Sequence, residues 1–530
     1  MAVVVTDRRT VINEADTTTG WTGAEAATTA FFAEATASVA AGLNTATGQI
    51  YFTGTAQNLS NTLVYVYAFN NALQDSWTAA NPPIALHLGD GTNRVSFKMA
   101  GADRRVFNHL DGPTEWQCLV LDGAAAGAMN TAGNVVVRAG SFAALNLASI
   151  TQIGGDFTTL SKALGGGQNC ACDIIRVGND GIRITGGTTG DRGNFLEVAI
   201  EDRSTANLKA HGLLRELGTG VYSAQGPFTL GGPTETSWFQ DTDAVLVFEN
   251  RNIADDKYYI QVEGGTGATH VIIRNSTIKS AGPGVRCDFQ VGGAANINAL
   301  ELSGVVFASL KNVVTFGPNT SHVVTGCTFD GCGQITPSSV QFRNNTISNS
   351  TDPDGALLVG SLGTTNMEDL SFVSGGTGHA VRFTSPGTYS LNGWTYSGYG
   401  ADETTNAAVV NDSGGLVTLN ITGGGDSPTV LNVGGSTTVV QNVVTFSLTG
   451  LIDNTEVRIY RVSDDVELFG VENSSGGTVS YEYNAAGIVP VYIHIHHINY
   501  VFIRLELSLG GSNQSVPVQQ RFDRAYSNPD

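Results

Sequence analysis

Between residues 248 and 421 a six-residue pattern recurs eight times, and it restricts what this chain can fold into more than any other feature does. The segments are FENRNI (248–253), IRNSTI (273–278), LSGVVF (302–307), VTGCTF (324–329), FRNNTI (342–347), MEDLSF (367–372), LNGWTY (391–396) and LVTLNI (416–421). Their starts fall 18 to 29 residues apart. Every copy opens on an apolar residue and closes on a β-branched or aromatic one. Asn or Gly holds the third position in six of the eight copies, and Thr, Ser or Asn the fifth in seven. A repeat at this period is the signature of a solenoid.

Strand parity turns the pattern into geometry. Side chains alternate faces along a strand, so the first and sixth positions of a straight strand point opposite ways. Both are apolar here, so both face a core only if a corner lies between them. Asn and Gly tolerate the left-handed backbone of a tight corner. The spacing therefore predicts corners at Asn250, Asn275, Gly304, Gly326, Asn344, Asp369, Gly393 and Thr418, in a right-handed parallel β-helix. Apolar residues fill its bore, and Asn and Thr are expected to form ladders. The Leu-x-x-Leu-x-Leu frame of leucine-rich repeats is missing.

The rest of the chain reads as all-β around that shaft. Residues 1–45 form an N-terminal attachment segment, with a helical option from Glu25 to Ala40. Residues 46–140 alternate in short runs split by turns such as Gly89-Asp90-Gly91, which predicts a jelly-roll-like sandwich. The β-helix is assigned 141–429. Its start, 141–245, holds irregular first coils, a strand at Asn194–Asp202, and a helical insertion or end cap at Ala210–Leu217. Residues 430–530 carry seven short strands, as in an immunoglobulin-like or transthyretin-like sandwich.

Composition narrows the function. Glycine is 66 of 530 residues and charged residues are 14%, a surface of small polar turns rather than ion pairs. The net charge of −20 lacks the basic footprint that nucleic acid requires. No run of 18 apolar residues spans a membrane. The six cysteines, Cys118, Cys170, Cys172, Cys287, Cys327 and Cys332, follow no disulfide or zinc spacing and read as buried thiols made in a reducing cytoplasm.

Candidate chemistry rests on acidic pairs and histidines. Glycan cleavage uses two carboxylates about 5 to 10 Å apart. Asp241 with Asp243, Glu249, Asp352 with Asp354, and Glu368 with Asp369 are the available residues; Asp241 and Asp243 share a face if their strand runs straight. In VYIHIHH, Tyr492, His494 and His496 share the face opposite Ile493 and Ile495, and His497 points inward or marks a bulge. Three copies of His494 and His496 about a trimer axis would offer six imidazoles to a first-row metal. His87, Asp90, Asn93 and Trp116 are candidates for a sugar or calcium site. The Gly-rich runs lack the Lys-Ser/Thr of a phosphate loop. No catalytic residue, cofactor or metal site is assigned outright.

The segments GLIDNTEVRIYR, ELFGVE, VPVYIHIHHINY and SVPVQQRFDRAYSNP resemble a small sandwich that closes many virion proteins of phages from aquatic bacteria. The opening RRTVINEADTTTGWTG is similar to the start of the same group, and the layout resembles tail spikes and fibres of tailed bacteriophages. The resemblance covers roughly the first 20 and last 90 residues, and the middle by architecture alone. It implies a homotrimeric structural protein of the virion, assembled in the host cytoplasm, with other virion proteins and host surface glycan as partners. A capsid decoration or head fibre and a polysaccharide depolymerase are its alternatives.

Overall fold

Short apolar–polar runs divided by turns dictate strands, and the computed structural model of the chain is all-β. It describes residues 3–23, 26–28, 38–42, 48–70, 85–98, 117–127, 135–157, 169–187, 213–248, 257, 259–265, 268–281, 287–292, 297–311, 314–316, 319–400, 402–472, 475, 477–484 and 488–525.

Three sheets made mostly of parallel strands occupy the middle of the molecule. The first runs from Ser237–Thr242 through Thr269–Arg274, Ile297–Ser303 and so on to Thr437–Leu451. The second runs from Val221–Ala224 to Thr395–Ser397, and the third from Ile182–Thr185 to Val430–Asn432. From Ser237 to Asn411 the chain visits first, second and third sheet in unbroken rotation, so each strand from Ser237–Thr242 to Gly387–Asn392 pairs in parallel with the third one after it. Three strands, one per sheet, make a tier.

The hexapeptide repeat is the passage from first sheet to second. Asn275, Gly304, Gly326, Asn344, Asp369 and Gly393 all have positive φ, between 49° and 69°. Each donates its N–H to the first sheet of the next tier: Asn275 to Ser303 (2.9 Å), Gly304 to Thr325 (3.0 Å), Asn344 to Glu368 (3.0 Å) and Asp369 to Asn392 (2.8 Å). The ladder at the corner is thus backbone, continuing the sheets around the bend. The flanking apolar groups turn inward: Leu302, Phe307, Val324, Phe329, Phe342 and Phe372 are fully buried. Phe307 and Phe329 stack with ring centres 5.0 Å apart. The fourth position also faces in, as Val305, Cys327, Leu370 and Trp394, or as a polar group satisfied by backbone. Asn345 there accepts the Cys327 N–H and donates to Val324 O.

The two outer copies of the repeat stand in a different register from the expected one. In the first tier Asp241 aligns with Ile273, which places the corner at Asp243 (φ 57°); Asn250 lies outside the described residues. In the last, LVTLNI belongs to the straight strand Leu416–Thr422, where Leu416 is 53% exposed and Thr418 makes no bend. The corner there is Gly423 (φ 63°).

Two six-stranded sheets precede the tiers. Strands Gln117–Asp122, Leu63–Asn70, Asn169–Val177, Ser38–Gly42 and Ala26–Thr28 make one, with Thr10–Asn13 also paired to Asn169–Val177; Val135–Ala139, Arg94–Lys98, Ala85–Gly89, Ile150–Asp156, Gln49–Gln57 and Trp21–Thr22 make the other. Ile150–Asp156 and Asn169–Val177 therefore belong to this sandwich and not to first coils. Described parts of 25–40 are strands rather than helix, and Val4–Asp7 pairs with Ile182–Thr185 at the edge of the third sheet. Leu214–Gly218 is a strand in a hairpin with Val221–Ala224, not a helix. The stretch 194–202 lies outside the described residues.

LVYVYAF has no polar alternation because both its faces are buried. Val64, Val66 and Ala68 pack in the sandwich core, while Leu63, Tyr65 and Tyr67 join the core of the tiers. Where these bodies meet, Asp7 takes Arg9 at 2.8 Å and Arg176 at 2.6 Å, and Arg9 lies over the Tyr65 ring at 4.6 Å. Lys257 meets Asp122 at 2.6 Å, both buried.

At the other end a single strand, Thr437–Leu451, does two jobs. Residues 437–442 pair in parallel with Leu416–Ile421, and 443–451 pair antiparallel with Gly477–Asn484. With Gln514–Pro517 they form one sheet of a C-terminal sandwich. Glu467–Val471, Glu456–Arg461, Val489–His496 and Ile503–Leu509 form the other, over a core of Phe446, Leu448, Val457, Ile459, Val491, Ile493 and Ile495.

Candidate functional site

The candidate carboxylates do not converge. The corner at Asp243 separates that exposed side chain from Asp241, which is 1% exposed and faces the bore where Ile273 and Leu302 stand in later tiers. Asp241 borders a space of about 10 Å³ beside Ile273, Ser276 and Phe289, room for one water molecule. The shared face expected from a straight strand is thus broken by a left-handed residue. Asp352 accepts the N–H groups of Asp354 (2.9 Å) and Gly355 (3.3 Å), so it shapes its own turn. Asp354 pairs with Arg382 at 3.1 Å, which also holds Asp412. Glu368 pairs with Arg343 of the preceding tier, and Asp369 is a corner residue. Glu249 lies outside the described residues.

The N-terminal candidates are committed to structure. Asp90 accepts N–H bonds from Thr92, Asn93 and Asn146, tying its hairpin to the 141–146 loop. Partial burial pushes its carboxyl up, but these donors outweigh it and hold the carboxyl at about 2. Asn93 donates to Asp90 and to Ala144 O. His87 is fully buried, stacked on Tyr51 with ring centres 4.7 Å apart. Ser96 gives its hydroxyl proton to Asp156 (2.5 Å), so His87 Nδ1 donates to Ser96 Oγ (3.2 Å). Burial depresses the imidazole to about 4. Trp116 lies outside the described residues.

The outer face of the C-terminal four-stranded sheet gathers aromatic, histidine and arginine side chains. The burial pattern of Val489–His496 puts Val491, Ile493 and Ile495 inward and leaves Tyr492, His494 and His496 outward. Register sets Tyr460 beside Tyr492, and Arg458 beside His494 beside Arg504. Tyr460 and Tyr492 stack at 5.2 Å, His494 meets Phe502 at 5.0 Å, and the Arg504 guanidinium sits 4.4 Å over Tyr492. Arg458 is ringed by Glu456, Glu467 and Glu472. His497 neither points inward nor bulges: the strand ends at His496, and His497 accepts the Asn499 N–H in a turn. No cluster of three or more metal-ligating side chains forms within the chain among the described residues. Sequence parity located Tyr492, His494 and His496; Tyr460, Phe502 and Arg504 were missed because only cross-strand register brings them there. Chemically the face offers ring edges and paired charges.

Comparison with protein-family models, with curated proteins and with solved structures finds no match to this chain.

Proposed function

We propose that this chain is a structural protein of a tailed-bacteriophage virion, a homotrimeric tail spike or fibre. In this reading the tiers from Ile182 to Asn442 are a right-handed parallel β-helix serving as a stiff shaft. The jelly-roll-like sandwich before it attaches to other virion proteins, and the immunoglobulin-like or transthyretin-like sandwich after it meets host glycan. The observation that carries the proposal is the unbroken rotation among three sheets, with backbone bonds running through the corners. Every tier is tied to the next along its perimeter, which is what a load-bearing rod requires. The strand Thr437–Leu451 supports the same reading, because it joins shaft and terminal sandwich without a loop. Cleavage of glycan finds less support, since the expected carboxylate pairs are divided or bound to arginine.

Light scattering of the purified protein in solution tests trimerisation: three chain masses are expected, and a monomer at micromolar concentration contradicts it. Gold-labelled antibody on intact virions tests location, with label on the tail expected and label on the head pointing to a capsid decoration.

A further inference from the structure

The C-terminal sandwich is open on the side where the strand Glu456–Arg461 ends. A groove of about 590 Å³ lies there between the two sheets, within the range of small-ligand sites. One wall is Tyr481 and Tyr483, rings 5.5 Å apart and 21° from parallel, with Phe469 bracing Tyr481 at 5.2 Å. Leu468, Pro490 and the 76% exposed Ile488 line the remainder, and Arg461 stands at the rim. The Tyr483 hydroxyl is used, donating to Gly510 O at 2.7 Å. The Tyr481 hydroxyl and the Ser463 side chain have no protein partner among the described residues. Arg461 gives one guanidinium nitrogen to Asp464 (2.9 Å), and its other N–H groups have no side-chain partner among the described residues.

We propose that this groove is a saccharide-binding site that takes a neutral pyranose. A pyranose has one apolar C–H face and a rim of hydroxyls. The braced Tyr481 ring suits the face, and Arg461, Ser463 and the Tyr481 hydroxyl suit the rim. A wholly apolar ligand would leave those polar groups desolvated without partners. An anionic one would approach a chain of net charge −20, beside Glu482 of the lining and the Asp464 that already pairs with Arg461. The inference deepens the host-contact role given to this sandwich and rests on that reading, but its test is independent of chain stoichiometry.

Saturation-transfer NMR of the full-length protein with glucose, galactose, mannose, N-acetylglucosamine and rhamnose reads binding directly. At least one sugar is expected to receive saturation, strongest at its ring C–H protons. Tyr481→Ala should abolish the transfer, Tyr481→Phe should keep it, and Arg461→Ala should weaken affinity by about tenfold. Retention in Tyr481→Phe guards against misreading a folding defect. Transfer to no sugar in the panel, or transfer undiminished in Tyr481→Ala, overturns the proposal. So does a groove that accepts only an apolar peptide. A trimer on virions that binds no sugar here would remove this site and leave the structural role standing.

Discussion

A corner chooses its residue by backbone angle. Asn344 sits at φ 54° with its N–H on Glu368 O. Asn344→Val forces a β-branched side chain into the left-handed region, and a loss of about 1–2 kcal/mol is expected. Asn344→Gly should stay within a few tenths of the parent, and urea midpoints compare the two. Gly393 has the same left-handed backbone, at φ 69°, and an added Cβ there would also have to displace the Asp369 carboxylate. His87 sets a pH dependence. Its folded pKa, about 4, lies below the ordinary 6.5, so between those values the unfolded chain binds a proton that the native one refuses. Stability is therefore full above 6.5 and falls as pH drops toward 4, by about 3 kcal/mol. His87→Gln should flatten that slope in urea titrations at pH 7.5 and 5. The inner corners were legible because each combines a turn residue with two apolar flanks. The outer two were not: Asp241 replaces the opening apolar group of the first, and Gly424 and Gly425 follow the corner of the last, so the pattern is recognisable only once the pairing register is known.

Among the elements, strands were easier to recognise than their partners. All seven runs of the C-terminal sandwich are strands, because one face of each is apolar and local turns divide them. Asn169–Val177 pairs with Leu63–Asn70, about a hundred residues earlier, and no local pattern records so distant a partner. AHGLLREL has good helix formers, yet Gly220 at φ 73° turns the chain back and pairs Leu214–Gly218 with Val221–Ala224; tertiary pairing overrides propensity. The junction of sandwich and tiers depends on Asp7. Asp7→Ala would remove the carboxylate that two buried guanidinium groups share, and a loss of about 3–5 kcal/mol is expected in chemical unfolding. Burial raises the Asp7 carboxyl, but hydrogen bonds and charge from Arg9, with the charge of Arg176, bring it below its ordinary value. Its stabilisation is thus present at neutral pH and lost as pH falls through the lowered value. Phe329 is the corresponding test of the bore: stacked on Phe307 and fully buried, it should cost about 3–5 kcal/mol as Phe329→Ala.

For the whole molecule, one continuous core runs from Tyr65 and Tyr67 of the N-terminal sheet, through the tiers, to Ile421. Strand Thr437–Leu451 then crosses into the last sandwich without a turn. Such a body is expected to resist bending, and hydrogen exchange should show protection running unbroken across residues 437 to 449. The most direct test of the account is a density map of the isolated protein at strand resolution. A rod is predicted, its three flat faces ruled by strands about 4.8 Å apart, with bends at Asp243, Asn275, Gly304, Gly326, Asn344, Asp369, Gly393 and Gly423. Antiparallel neighbours within 237–411, or these residues lying in straight strand, would contradict it.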